Sequence, residues 1–384
     1  EGLTAIIRDS GLKCPRCKGQ LTETRIFNLM LNTNVGPATG SVAYLRPETA
    51  QGIFVNFKNI VAATRAKLPF GVAQIGRSYR NEISARHWIT RLREFNQMEI
   101  EVFFNPEKAN EVPGFDEIEN VRIRIFTREQ QKSGLEPLET TARDAAEKQI
   151  VPNRFMAYIL AMELLWYTEL GIPEPAIRFR HMLPQETPHY SKGNFDMEIK
   201  FDYGWKEVVG NAYRTDYDLS THTKHSGDDL SMMDGDQKVV PHVVEPSFGI
   251  DRTVYAVLLY SYKSADERDW EWFALPPKIS PYVAGIFPLM GKDNLARRAG
   301  EIYNSLKKEF DVFYDETGSI GKRYARSDEI GTPWAITVDY QSLKDDTVTV
   351  RDRNTTKQLR VAVTKLPSVI RNLIKGQDIE STSQ

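Results

Sequence analysis

Gln74–Phe104 reads QIGRSYRNEISARHWITRLREFNQMEIEVFF, and its two ends alternate in the way strands do. On the first strand Val72, Gln74, Gly76, Ser78 and Arg80 share a face. On the second, Glu99 and Glu101 share a face and are interleaved with Met98, Ile100, Val102 and Phe103. The middle, Ile83 to Arg93, carries Arg86, Arg91 and Arg93 with little apolar period, so it reads as a long hairpin loop rich in guanidinium. Arg80 and Glu82 then stand at the end of one strand, Glu99 on its neighbour, and a basic loop above both. That layout suits a ligand with an anionic middle and a cationic end. It is equally the pattern of a charged surface hairpin whose arginines are solvated, so the flanking sequence has to decide.

Upstream, Tyr44-Leu45-Arg46-Pro47-Glu48-Thr49-Ala50-Gln51-Gly52 opens a helix, with Pro47 in its first turn and Glu48 at the positive end of the dipole. Glu48 there is either a cap or a fixed carboxylate facing a ligand ammonium. Further upstream, Cys14-Pro15-Arg16-Cys17 is half of a zinc knuckle, or else a tight turn, because a closed site needs four ligands. Downstream, 105–195 reads as an excursion over or beside the sheet, with helices at Arg143–Gln149 and Phe155–Leu170. Trp205–Gly210 is strand-like, and the polar run Asn211–Leu219 follows its end. His222 and His225 are three apart, a metal-like spacing without a carboxylate in register, and read as loop residues. Glu245 and Ser247 then share one face of an apolar strand, Gly249 turns a corner, and a helix begins with Arg252 in its first turn. A cation beside unpaired helix N–H groups opposes the dipole, so Arg252 asks for an anion, and a polyphosphate suits it.

Composition bounds the rest. The chain has 384 residues, 41% hydrophobic and 27% charged, as in a folded globular protein long enough for two domains. Lys plus Arg is 50 against 52 Asp plus Glu, so any nucleic-acid binding must come from local patches. Two cysteines exclude a disulfide scaffold and fit a reducing compartment. No apolar run approaches the ~20 residues that span a bilayer. Pro276-Pro277 and Ser280-Pro281 mark a boundary. Beyond it, short strands (282–287, 312–314, 335–338, 347–350) alternate with helices (294–310, 366–373), the pattern of an α/β domain with a mixed sheet. Its positive charge clusters in Gly321–Arg326 and Arg351–Arg360, which reads as an RNA-facing surface or as a solvated face.

Arg80-Asn81-Glu82 with Phe95 in a hairpin resembles motif 2 of the class II aminoacyl-tRNA synthetases, and Gly249-Ile250-Asp251-Arg252 resembles their motif 3. The strings RPETAQG, RNEIS, REFNQMEIE, EPSFG and GSIGKRYARSDEIG are similar to the glycyl-tRNA synthetases of the homodimeric archaeal and eukaryotic type. The chain departs from that family in two places. Motif 1 is not visible and is expected to precede Glu1, and the motif 2 loop reads ISARHWITR where the family often has Pro and Gly.

The resemblance implies a class II α+β catalytic domain built on an antiparallel sheet, residues 1–280, with an insertion at about 105–195. An α/β anticodon-binding domain, 281–384, follows. It implies ATP with Mg²⁺ as cofactors, glycine, ATP and tRNA-Gly as partners, a homodimer, no membrane and a cytoplasmic location. Arg80, Glu82 and Arg252 would be catalytic. ATP would be held by these three with Asn81, Arg91, Leu92, Phe95, Glu207, Val208 and Gly249; glycine by Glu48, Glu99, Arg214, Glu245, Pro246 and Ser247. Glu207 is the candidate Mg²⁺ ligand, and Cys14 and Cys17 are the candidate Zn²⁺ ligands. Two rivals remain: a non-catalytic accessory protein of the same fold that binds nucleic acid, and a class II synthetase for another amino acid.

Overall fold

A computed structural model describes residues 2–24, 27–37, 40–85 and 88–378. Eight strands form one sheet: β1 (Phe70–Tyr79), β2 (Glu94–Phe104), β3 (Arg122–Phe126), β4 (Leu138–Thr141), β5 (Ile177–His181), β6 (Asn194–Phe201), β7 (Gly204–Thr215) and β8 (His242–Gly249). Their spatial order is β1-β2-β8-β7-β6-β5-β3-β4. Every neighbouring pair is antiparallel except β3 with β5. Residues 105–195 therefore extend the sheet with three strands and also lay a helix over one of its faces.

Alternation along β2 explains the layers. Phe104 packs with Phe155, Met156 and Leu160 of a helix, α2 (Arg154–Glu169), on one face. Phe103 packs on the other with Ile53, Phe54 and Phe57 of α1 (Ala50–Thr64) and with Leu219 of α3 (Tyr217–Ser226). Burying side chains of that size stabilises by roughly 1.5–3 kcal/mol each. Glu99 and Glu101 lie on the Phe103 face by the same alternation, so the acids share a layer with α1 and α3. The strand β8 brings Glu245 and Ser247 to that face too, with Ser247 opposite Glu99 in register.

Two boundaries differ from the sequence reading. β7 runs on through Asn211–Thr215, so the polar run lies inside a strand, and α3 follows it carrying His222 and His225. His222 Nε2 lies 3.1 Å from Gln51 Oε1, which makes it a helix-to-helix tie. The helix α1 begins at Ala50, leaving Pro47 and Glu48 ahead of it.

The corner after β8 is as expected: Gly249 caps α4 (Ile250–Ser261). A Cβ on Gly249 would stand 3.2 Å from Arg252 Cδ and 3.3 Å from the Val208 carbonyl oxygen, so glycine lets the arginine fold back over β7.

The second sheet is mixed, in the order β10-β9-β11-β12-β13, from β9 (Ala284–Pro288), β10 (Val312–Tyr314), β11 (Trp334–Val338), β12 (Thr347–Asp352) and β13 (Gln358–Ala362). The helices α5 (Leu295–Leu306), α6 (Ile320–Glu329) and α7 (Leu366–Ile374) accompany it, α6 being the one that sequence periodicity missed. Buried Asp328 ties this sheet to the preceding segment: it accepts from Arg351 at 3.0 and 3.1 Å and from Arg268 at 2.9 Å. No helix among the described residues is long and apolar enough to cross a membrane.

Candidate active site

The floor of the site is acidic and closely bonded. Glu99 is 1% exposed. Its Oε2 accepts from the Thr49 N–H at 2.6 Å, the Ala50 N–H at 2.7 Å and the Thr49 hydroxyl at 2.5 Å, so it, and not Glu48, sits on the N-terminus of α1. Its Oε1 accepts from Gln97 Nε2 at 2.7 Å and Ser247 Oγ at 3.0 Å. Arg214, buried, donates to both oxygens of Asp218 at 2.7 and 2.9 Å and to Glu245 at 2.5 Å. Glu48 Oε1 lies 3.9 Å from the same guanidinium. The rings of Phe54 and Tyr190 pack on it at 5.3 and 4.2 Å.

So many acids in one dry layer cannot all ionise. Burial raises the Glu245 carboxyl to about 7, with Arg214 opposing and Glu99 and Glu48 adding to the rise. Burial, then Glu245, pushes Glu101 well above the usual carboxylate range, and neither of its oxygens has a hydrogen-bond partner among the described residues. Arg214 is disfavoured by burial but held firmly charged by Glu245 and Asp218.

Above this floor a cleft of about 570 Å³ opens, with Arg80, Glu82, Arg91, Leu92, Phe95, Glu207, Val208, Gly249 and Arg252 all in its walls. Gln97 and Ser247 also line it. Both touch Glu99, so the cleft that carries the arginines runs directly into the acidic floor. Arg252 Nε donates to the Thr90 carbonyl at 2.8 Å and Nη1 to the Glu207 carbonyl at 2.9 Å, with the Glu207 carboxylate 3.5 Å away. Arg80 Nε donates to the Pro47 carbonyl at 3.1 Å, and its guanidinium lies 5.4 Å from the Phe95 ring. Asp251 accepts from the Asn96 N–H at 2.6 Å, fastening α4 to β2. Arg86 lies outside the described residues.

Residues 39–260 match the tRNA synthetase class II core domain (G, H, P, S and T), and 283–373 match the anticodon binding domain. The chain is 42% identical to a glycine–tRNA ligase of Pyrococcus furiosus, over 98% of this chain and 80% of the relative. It is 40% identical to one of Thermococcus gammatolerans (98% and 80%) and 37% identical to one of Methanothermobacter thermautotrophicus (97% and 79%). This chain belongs to the glycine–tRNA ligase family. The aligned stretch of the Pyrococcus relative, 455 residues, is longer than this chain, so the relative carries internal segments absent here.

Within this family member the structure groups the expected residues unevenly. Nine of the ten ATP candidates line one cleft; the tenth, Asn81, turns away and bonds the carbonyls of Asn28 and Leu29. Pro246 alternates to the face opposite Glu245 and Ser247. Arg214 is enclosed by acids and rings and donates to Glu245 from beneath. Cys14 and Cys17 sit on a hairpin closed by Lys13 and Gln20, where the Cys17 and Arg16 N–H groups lower the Cys14 thiol. No group of three metal-binding side chains occurs among the described residues. The reading of the sequence gave no site role to Thr90, Gln97, Asp218, Asp251 or Tyr190. Asp251 lay in the motif 3 string, Asp218 in the polar run Asn211–Leu219, and Gln97 shares a strand face with Glu99; Thr90 and Tyr190 carried no signal.

Proposed function

We propose that this glycine–tRNA ligase joins glycine to ATP in the cleft, forming glycyl-adenylate and pyrophosphate, and then passes the glycyl group to the 3′ end of tRNA-Gly. The observation that carries the reading is the continuity of an arginine-lined cleft with an acid-lined floor through Gln97 and Ser247. A glycine zwitterion laid across that junction meets opposite charge at both ends. Its ammonium faces Glu48, Glu245 and Ser247, with Glu99 beneath, and its carboxylate faces Arg80. One carboxylate oxygen attacks the α-phosphorus, the P–O bond to the β-phosphate breaks, and pyrophosphate leaves with that electron pair.

Catalysis is then chiefly positioning and charge neutralisation. Arg80 holds the α-phosphate and the attacking carboxylate, and Arg252 and Arg91 hold the outer phosphates. Phe95 stacks on adenine, Glu82 receives its amino group, and Val208 and Gly249 supply the wall at the corner. The floor fits an ammonium because several carboxylates give charge-assisted bonds of about 1.5–3 kcal/mol each. Mg²⁺ fits the rim: Glu207 is an exposed carboxylate beside Arg252, and such ions are commonly held by one or two carboxylates plus phosphates. When bound it would neutralise phosphate charge. Zinc fits less well, since the described residues offer two of the four ligands a structural site needs.

The second sheet is the surface proposed to meet the anticodon, and 281–384 is the proposed extent of that domain, after a catalytic domain of 1–280. A homodimer is proposed because the helix Gly2–Ser10 buries no residue and Leu3, Ile6, Phe27, Leu29 and Val42 stand exposed, apolar side chains that a second copy would cover. The accessory-protein alternative gains nothing from the relatives, all glycine–tRNA ligases. ATP–pyrophosphate exchange across the twenty amino acids tests the reading. Exchange should require glycine, and exchange driven by another amino acid, or by none, would refute it.

A further inference from the structure

We propose that Tyr190 is a wall of the amino-acid pocket and sets its size against substrates larger than glycine. The inference deepens the reading above and rests on glycine lying at Glu48, Glu245 and Ser247. The tyrosine belongs to the segment joining β5 and β6, which lay outside every motif in the sequence. That segment is pinned on both sides of it. Before it, His189 Nε2 is 3.0 Å from the Tyr217 hydroxyl at the start of α3. After it, the Lys192 N–H donates to the Tyr213 carbonyl on β7 at 2.9 Å, and Ser191 Oγ donates to the same oxygen at 3.2 Å. Tyr190 therefore cannot move off the floor without breaking contacts to α3 and β7.

The ring lies 4.2 Å from Arg214 Cζ, and that guanidinium is fixed by Asp218 and Glu245. Burial, and then the charge of Glu245, raises the phenol to about 12; Arg214 and Arg80 act the other way, and Glu48 adds to the rise. The guanidinium under the ring is itself 2.5 Å from Glu245 and 3.9 Å from Glu48, so the ring stands beside the acids assigned to the ammonium. Tyr190 stays protonated at neutral pH, a neutral donor among ions. A rigid ring held from two elements yields little to an added methyl group, and overpacking costs about 1–3 kcal/mol. That is the order of discrimination a pocket wall supplies between substrates differing by one carbon.

The test is ATP–pyrophosphate exchange with glycine, L-alanine and D-alanine on three proteins: the parent, Tyr190→Ala and Tyr190→Phe. Tyr190→Ala should raise kcat/KM for at least one alanine enantiomer relative to glycine by about tenfold or more, while Tyr190→Phe, which keeps the ring, should leave the ratio within about twofold. An unchanged ratio in Tyr190→Ala, or an equal loss for all three amino acids, would show packing alone and overturn the proposal. If thermal melting shows Tyr190→Ala to be unfolded, Tyr190→Leu carries the same comparison. Glu245→Gln is run beside them. If it raises the glycine KM while the alanine ratio stays flat in the Tyr190 variants, the wall fails and the glycine site stands. If it leaves the glycine KM unchanged, the site itself is misplaced and the wall falls with it.

Discussion

The arginines of the cleft and those of the second sheet are the same residue type put to opposite uses. In the cleft, Arg80 commits Nε to the Pro47 carbonyl, and its terminal nitrogens have no protein hydrogen bond among the described residues. Arg91 is exposed, with only a 4.0 Å approach to Glu82. On α6, beside the second sheet, Arg323 is buried and donates to the carbonyls of Pro288, Leu289, Gly318 and Ser319. Arg353 is buried on the carbonyls of Gly331 and Leu275, and Arg351 on both oxygens of Asp328. Arg326 pairs with Asp315, and Arg360 with Asp339. A guanidinium has five donors. Where the protein itself fills them the arginine is scaffold, and where they are left to the cleft it is available to a phosphate. The two basic runs that stood out in the sequence, 321–326 and 351–360, are thus largely spent on holding the second sheet together.

Four substitutions or conditions press on that contrast. Arg252→Ala should cut glycine-dependent pyrophosphate exchange by about 10²–10³-fold, as loss of a preorganised charge does, while the melting temperature moves little. A large drop in melting temperature with unaltered exchange per folded molecule would place Arg252 among the scaffold arginines. Asp328→Ala should do the reverse. It strands Arg351 and Arg268 in a buried setting, which costs about 3–5 kcal/mol in denaturant unfolding, with exchange by the folded fraction preserved. Loss of less than about 1 kcal/mol there would mean the pair is no more than a surface contact.

Glu99→Gln sharpens the boundary between the two regions, because Glu99 both caps α1 and underlies the proposed ammonium site. It should lower exchange at least about tenfold, since charge-assisted bonds weaken to neutral ones, and unchanged exchange would remove Glu99 from the site. The smallest effect is with pH. The Glu245 carboxyl is raised to about 7, so between the unfolded value of 4.5 and about 7 the folded state holds a proton that the unfolded chain has released. Its contribution to stability therefore falls as pH rises through about 7. An ammonium ligand favours the ionised form, so the glycine KM should decrease from pH 6 to pH 8 and level off above. Glu245→Gln should flatten that profile, and a slope unaltered by the substitution would assign it to another group, such as Asp196, which burial also raises to about 7.

How far the site could be read in advance follows from the range of the interactions. Strand faces repeat every two residues, so the grouping of Glu99 with Glu101 and of Glu245 with Ser247 was visible in the chain. So was the corner at Gly249, where one residue without a Cβ precedes a helix. Asn81 stands apart from the cleft because its neighbour in space is Asn28, whose position no local pattern reports. Tyr190 escaped for the same reason, its partners Arg214 and Tyr217 belonging to later elements.

By itself the sequence determined the alternating strands, the strand-to-helix corner and the two sheets, set by short-range periodicity and backbone sterics, and it carried the motif residues whose resemblance marks the family. Only the tertiary structure decided which charges are left free. Glu99 meets Thr49 across 50 positions and Ser247 across 148, and Arg353 reaches Leu275 across 78. A donor's availability depends on what packs against it, and packing partners come from chain distances that no local pattern spans.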